Sequence, residues 1–255
     1  MQYLKPGTAI LVTGATGGIG FEVARHAAED GAVVGVHGSR QESVDTAIAK
    51  IRETLPDARL VGLPANFHNE AEIAPLVDTF ASQAGRLDAL VHCGITGAAG
   101  PQGLFRNTTP EAYGKNAALV MGTFQQLAFA AYQHMMKQEE GGTIVAYISD
   151  AARFPAAHQT MLGSVFGGIV TFVRNLGFEG ARDKVRAHVI SPSYVKETPV
   201  FERFGVGGRG ETAEKKAGLG LPTPKDLAPL TLFLCGPDAT KMTGHVLSVN
   251  GGINT

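Results

Sequence analysis

Apolar runs of strand length alternate along the whole chain with stretches whose apolar residues recur every three or four positions. Ala9 to Val12 is a short β-type run that leads into a glycine-rich turn and a helix through about Asp30. Ala32 to His37 predicts the next strand, after which Val44, Ile48, Ile51 and Leu55 mark one face of a helix. Arg59 to Leu63 is a third strand, and Ile73, Leu76, Val77 and Phe80 make a second helical stripe. Leu87 to Val91 is strand-like, and a long helical stretch covers roughly Glu111 to Lys137. Thr143 to Ile148, a run near Ala187 to Ile190, and Val246 to Val249 predict three more strands. Helices are predicted between them, at about Gln159 to Glu179 and near Lys225 to Leu234.

Strands alternating with helices imply a parallel sheet covered on both faces. The expected architecture is α/β, a Rossmann-type doubly wound parallel sheet of about seven strands, with ligands held at the carboxyl ends of the strands. No repeat, low-complexity tract or compositional break divides residues 1–255, so a single domain is expected. With 44% hydrophobic and 18% charged residues, the chain reads as globular. A net charge of −1 argues against nucleic acid and anionic membrane as partners. No apolar run approaches the ~18 residues of a membrane span, and the first residues lack a signal peptide's layout. Two cysteines, Cys93 and Cys235, make no disulfide framework and fit a reducing, cytoplasmic setting.

Thr13-Gly14-Ala15-Thr16-Gly17-Gly18-Ile19-Gly20 follows the first strand and opens the first helix. Glycines there let the chain turn sharply and let backbone approach a pyrophosphate, while the helix start offers free N–H groups to phosphates. In that strand-turn-helix context the segment predicts a nicotinamide dinucleotide site. An NAD site usually carries an acid at the end of the second strand for the ribose 2′-hydroxyl. Here that end reads His37-Gly38-Ser39-Arg40, and Ser39 with Arg40 can pair with a 2′-phosphate. NADP(H) is therefore expected over NAD(H).

With this turn and the tail Thr243-Gly244-His245-Val246-Leu247-Ser248-Val249-Asn250-Gly251-Gly252, the chain resembles the short-chain dehydrogenase/reductases, and among them the 3-oxoacyl-carrier-protein reductases. Leu87-Asp88-Ala89-Leu90-Val91 and Ser191-Pro192-Ser193-Tyr194-Val195 extend the likeness over nearly the whole length. The resemblance implies that Asn66 and Phe67 flank the adenine, that Gly94 lies beside a ribose, and that Pro192, Val195 and Thr198 border the nicotinamide. It also implies a substrate lid near 199–221, a small-molecule substrate, and homotetramers or homodimers joined through the helices of residues 111–137 and 159–179.

The same comparison exposes a departure. The family's Tyr-x-x-x-Lys pair, the proton donor and its helper, occurs nowhere in the chain. Anchored on Gly167-Gly168-Ile169, its slots hold Leu162 and Phe166; sliding by one gives Met161 and Val165, or Gly163 and Gly167. The family's serine falls at Ser149 or Asp150, and its helical asparagine becomes Leu119, with Asn116 one turn away and off register.

Four residues are candidates for the missing chemistry. Asp150 is a base if desolvated, or else the N-cap of a local turn. Ser149 could hydrogen-bond a substrate carbonyl. His158, in the loop before the altered helix, has a suitable ordinary pKa. Tyr194 could donate to a substrate oxygen, aromatic packing being the alternative. In the lid, Arg203, Arg209, Lys215 and Lys216 could meet an anionic substrate or simply keep the loop solvated. No metal site is expected, because His92 and Cys93 lack further ligands.

Three readings follow: an NADP(H)-dependent oxidoreductase on a carbonyl or alcohol, a silent NADP(H)-binding relative, or a non-redox lyase or isomerase.

Overall fold

The computed structural model describes residues 1–94, 103–205 and 208–254. Seven strands form one parallel sheet in the order β3-β2-β1-β4-β5-β6-β7. They are β1 Ala9–Thr13, β2 Val33–Gly38, β3 Arg59–Pro64, β4 Ala89–His92, β5 Gly142–Tyr147, β6 Val185–Ser191 and β7 Val246–Ser248. The central strands β1, β4 and β5 are buried along their whole length, which is why they read as unbroken apolar runs rather than alternating ones. Strand order reverses between β1 and β4, so the crevice outside their carboxyl ends is the natural ligand position.

Helices cover both faces. On one, α1 (Gly18–Glu29), α2 (Gln41–Arg52) and α9 (Pro224–Cys235) bury Val23, Ala27, Ile51, Leu227 and Leu232 against the sheet. On the other, α3 (Ile73–Ala84), α5 (Thr123–Met135) and α6 (Thr160–Gly180) bury Phe80, Phe124, Leu127, Phe166, Ile169 and Val173.

The long helical stretch predicted over 111–137 is two helices, α4 (Pro110–Ala117) and α5, joined by a π turn over Ala118–Gly122. A π turn holds one residue more than an α turn. Asn116, Val120 and Phe124 are all buried along this run, with Leu119 only half-buried.

The expectation of no uninterrupted apolar run of membrane length is met by one helix that comes near it. Thr160–Asp183 is long and apolar enough to cross a membrane by length and composition, with a mean hydropathy of 1.3. Its apolar stripe of Phe166, Ile169 and Val173 is already packed in the sheet's core.

The lid expected near 199–221 contains two short helices, α7 (Pro199–Phe204) and α8 (Arg209–Lys216). Its Val206 and Gly207 lie outside the described residues. Ala213, Ala217 and Leu221 form a small core of their own with Tyr194, Phe201 and Ile253.

Candidate functional site

The glycine turn sits at the carboxyl end of β1, and its shape requires glycine at two points. Gly14 has φ +71°, and a Cβ there would lie 2.8 Å from the Cα of Gly94 at the end of β4. A Cβ on Gly20 would lie 2.3 Å from the Gly14 carbonyl oxygen. The turn and β4 therefore meet backbone to backbone, and the open side of the turn is at Gly17, where a Cβ would meet nothing within 4 Å. Gly17 is exposed and precedes α1 without a side-chain cap, so the first N–H groups of the helix stay open to an anion. Ile19 packs against the α1 side of the core and Thr16 lies over Gly38.

A ring stack holds this turn from below. The Gly14 N–H donates to Nδ1 of His37 at 3.1 Å, and the Ala15 N–H donates to the His37 carbonyl at 2.8 Å. His37 Nε2 faces the Ala65 carbonyl at 3.1 Å, so its partners assign the neutral tautomer protonated on Nε2. Burial lowers its pKa to about 4. Its ring stacks on Phe67, with centroids 4.3 Å apart, and Phe67 in turn faces His92 and then Phe124. His92 Nδ1 hydrogen-bonds Thr13 Oγ1 at 2.7 Å, and burial lowers its pKa to about 3, with His37 adding to the effect. His37 carried no functional expectation beyond marking the end of β2. The only sequence signal was a polar residue inside an apolar strand.

The remaining expected cofactor residues follow the carboxyl ends of β2, β3 and β6. Ser39 and Arg40 are exposed just past β2, and Arg40 opens α2. Asn66 is exposed, its Oδ1 accepting from the His68 N–H at 3.1 Å. Phe67 is buried with its ring against His37, so Asn66 and backbone form the surface there. Pro192 and Val195 are buried after β6. Thr198 caps α7 by accepting from the Phe201 N–H at 3.1 Å, and its methyl group lies over Gly18. The structure thus brings the glycine turn and Thr198 together from opposite ends of the sequence.

The catalytic candidates fare differently. Asp150 follows β5 but is buried with both oxygens engaged: Ser191 Oγ donates to Oδ1 at 2.6 Å, and Asn250 Nδ2 and Asn254 Nδ2 donate to Oδ2 at 2.8 and 3.0 Å. The N-cap of the local turn is Ser149 instead, whose Oγ accepts from the Ala151 N–H at 3.2 Å. That bond leaves the Ser149 hydroxyl proton free for another acceptor. Asp150 ties β6 and the C-terminal tail together, and neither Asn partner was anticipated.

His158 is exposed with φ +66°, in the loop before α6. Tyr194 is half-buried and edge-on to Phe201 at 6.2 Å. Phe166 is fully buried and Leu162 half-buried, both in the core beneath α6. Asn116 is buried, and among the described residues neither of its side-chain polar atoms has a hydrogen-bond partner. Burial pushes the Cys93 thiol well above its ordinary range and the Cys235 thiol up to about 12, which leaves no reactive thiolate. Among the described residues no group of His, Cys, Asp and Glu could hold a metal ion.

A family model described as enoyl-(acyl carrier protein) reductase matches residues 14–254, from the glycine turn to the tail that Asp150 anchors. The chain belongs to the short-chain dehydrogenase/reductase family. It is 28% identical to a 3α-hydroxysteroid dehydrogenase of Mediterraneibacter gnavus, over 94% of each chain. It is 30% identical to the uncharacterized oxidoreductase YxjF of Bacillus subtilis, covering 95% of this chain and 96% of that one. Among solved structures, a 7α-hydroxysteroid dehydrogenase complexed with NADH and 7-oxo glycochenodeoxycholic acid superposes with a TM-score of 0.90. The two are 25% identical, and the match covers 98% of this chain and 96% of that one. That steroid dehydrogenase holds NADH, and the glycine turn of this chain, with the uncapped start of α1 behind it, fits a dinucleotide of that kind.

Proposed function

We propose that this family member is an NADP(H)-dependent oxidoreductase acting on a carbonyl or alcohol of a small molecule. The observation that carries the reading is the uncapped start of α1 at exposed Gly17, where a Cβ would meet nothing within 4 Å, with exposed Ser39 and Arg40 and no acid at the end of β2. Gly17 and Gly18 with the start of α1 would hold the pyrophosphate, Ser39 and Arg40 the 2′-phosphate. Asn66 would edge the adenine, Gly94 a ribose, and Pro192, Val195 and Thr198 the nicotinamide. Bound there, the dinucleotide supplies or accepts the hydride. The hydroxyl of Ser149, at the end of β5, hydrogen-bonds the substrate oxygen. The proton that a Tyr-Lys pair would deliver comes from solvent. The relatives' names, hydroxysteroid dehydrogenases among them, support a carbonyl or alcohol substrate.

Fluorescence titration with NADPH and NADH tests the cofactor reading. NADPH should bind in the micromolar range and more tightly than NADH. Arg40→Gln should weaken NADPH by about ten- to a hundredfold, the worth of a hydrogen bond to a charged group, and leave NADH nearly unchanged. Equal loss for both cofactors would remove Arg40 from phosphate recognition.

Apolar Leu162 and Phe166 favour a second reading, a cofactor-binding relative without turnover. It gives the same titration, and no oxidation of bound NADPH across a panel of ketones and aldehydes.

A further inference from the structure

A pocket of about 290 Å³ lies between α8 and the chain that follows β6. From α8 it is lined by Arg209, Thr212, Ala213 and Lys216, and facing them are Tyr194 and Ile253. The four α8 positions are spaced i, i+3, i+4 and i+7, so they form one face of that helix. That face carries two cations, a hydroxyl and a methyl group. The acids of α8, Glu211 and Glu214, do not line the pocket, and Glu214 is paired outside it with Lys196 at 2.7 Å. Lys215 does not line it either. Among the described residues neither Arg209 nor Lys216 has an ion pair, and both are exposed, so their charges are open to solvent and to whatever enters the pocket. Of the four lid cations the sequence offered for an anion, geometry selects these two.

The opposite wall is apolar in body and polar at one point. Ile253 and the Tyr194 ring belong to the small core with Ala213, and the Tyr194 hydroxyl adds a donor. The wall is also held in place. Asn250 and Asn254 bond Asp150, and the Leu219 N–H donates to the Gly251 carbonyl at 3.0 Å, so the tail carrying Ile253 is pinned on both sides. Such a volume is at the small end for a ligand site and fits one end of a molecule. Tyr194 lies two residues beyond Pro192, on the side of the crevice assigned to the nicotinamide.

The geometry points to an anion site: the pocket receives the carboxylate or phosphate end of an otherwise apolar substrate, held by Arg209 and Lys216 with Tyr194 and Thr212 as hydroxyl donors. It rests on the proposed oxidoreductase reading only for where the reacting carbon lies. The substrate class is then an apolar carbonyl or alcohol compound with an anionic terminus. A neutral compound of the same shape would leave two cations uncompensated.

Calorimetric titration of the full chain without cofactor, in low-salt buffer, tests this with octanoate, octyl phosphate and the neutral octanamide. At least one anion should bind tenfold or more tightly than octanamide. An Arg209→Gln/Lys216→Gln double variant should erase that gap, while Lys215→Gln keeps it. A gap for octanoate alone assigns a carboxylate, and a gap for octyl phosphate alone assigns a phosphate. No gap in the wild type, or a gap that survives the double variant, overturns the proposal. The cofactor titration separates the two readings: normal NADPH binding without an anion gap sinks the pocket alone, and an anion gap without NADPH binding sinks the cofactor reading alone.

Discussion

Protonating His37 would place an N–H on Nδ1 directly against the Gly14 N–H that this nitrogen accepts in the folded protein. The imidazole is buried and its pKa is lowered to about 4, against 6.5 for a free side chain. Between those values the unfolded chain binds the proton and the folded chain does not. His37 therefore contributes no penalty above pH 6.5, and stability is lost as pH falls from 6.5 toward 4. At pH 5 the loss from this one group is about 2 kcal/mol. Asparagine at 37 keeps an acceptor for the Gly14 N–H and cannot titrate there. Urea unfolding at pH 7 and pH 5 should show the wild type losing about 2 kcal/mol more than His37→Asn across that interval. Equal losses would mean that His37 is not the group responsible. The buried amide of Asn116 is a contrasting residue, because among the described residues it has no partner to lose.

At the scale of elements, Ser149 and Asp150 are neighbours at the end of β5 with opposite duties. Asp150 accepts from Ser191, Asn250 and Asn254, which joins β5, β6 and the tail behind β7. Asp150→Asn replaces one accepting oxygen with a donor that faces donors. Hydrogen bonds to a charged group are worth about 1.5–3 kcal/mol, and in a chain of this size each kcal/mol moves Tm by about 2–4 °C. Thermal melts should show Asp150→Asn lower by about 5 °C. Ser149→Ala loses only the cap on the Ala151 N–H, about 1 kcal/mol or 2–4 °C, and should reduce turnover about tenfold or more on a substrate that the protein is shown to reduce. The reverse pattern, activity lost at 150 with Tm intact, would restore Asp150 as a proton carrier. The sheet was legible in the sequence because parallel strands buried on both faces leave unbroken apolar runs, as in β1 and β5. The glycine turn was legible because its backbone contacts exclude side chains at Gly14 and Gly20. The anchoring role of Asp150 was not, since its partners lie 41, 100 and 104 residues away in the chain. Nor was the π turn, which depends on one extra residue in a turn and has no residue type of its own. The short helix α8, Arg-Gly-Glu-Thr-Ala-Glu-Lys-Lys, has too few apolar residues to show a periodicity.

At the scale of the molecule, the two faces of the sheet are finished differently. On the face covered by α3, α5 and α6, large rings remain outside: Phe129 on α5 is 68% exposed and Phe178 on α6 is 83% exposed, with Met136 at 42%. On the opposite face α1, α2 and α9 expose no large apolar side chain of that kind among the described residues. We propose that a second copy of this chain covers the α5 and α6 face, forming a homodimer or one interface of a homotetramer. Full burial of a phenylalanine is worth about 1.5–3 kcal/mol. In a twofold interface each ring counts twice, so four rings contribute roughly 6–12 kcal/mol before other contacts. Association costs about 4–15 kcal/mol, so these rings decide whether the assembly is stable at micromolar concentration. A Phe129→Glu/Phe178→Glu variant should therefore run as a monomer by light scattering at a concentration where the wild type does not. Its circular dichroism should be unchanged, because neither ring touches the sheet's core. A wild type already monomeric at that concentration would sink the interface, and so would a variant that keeps the parent's mass.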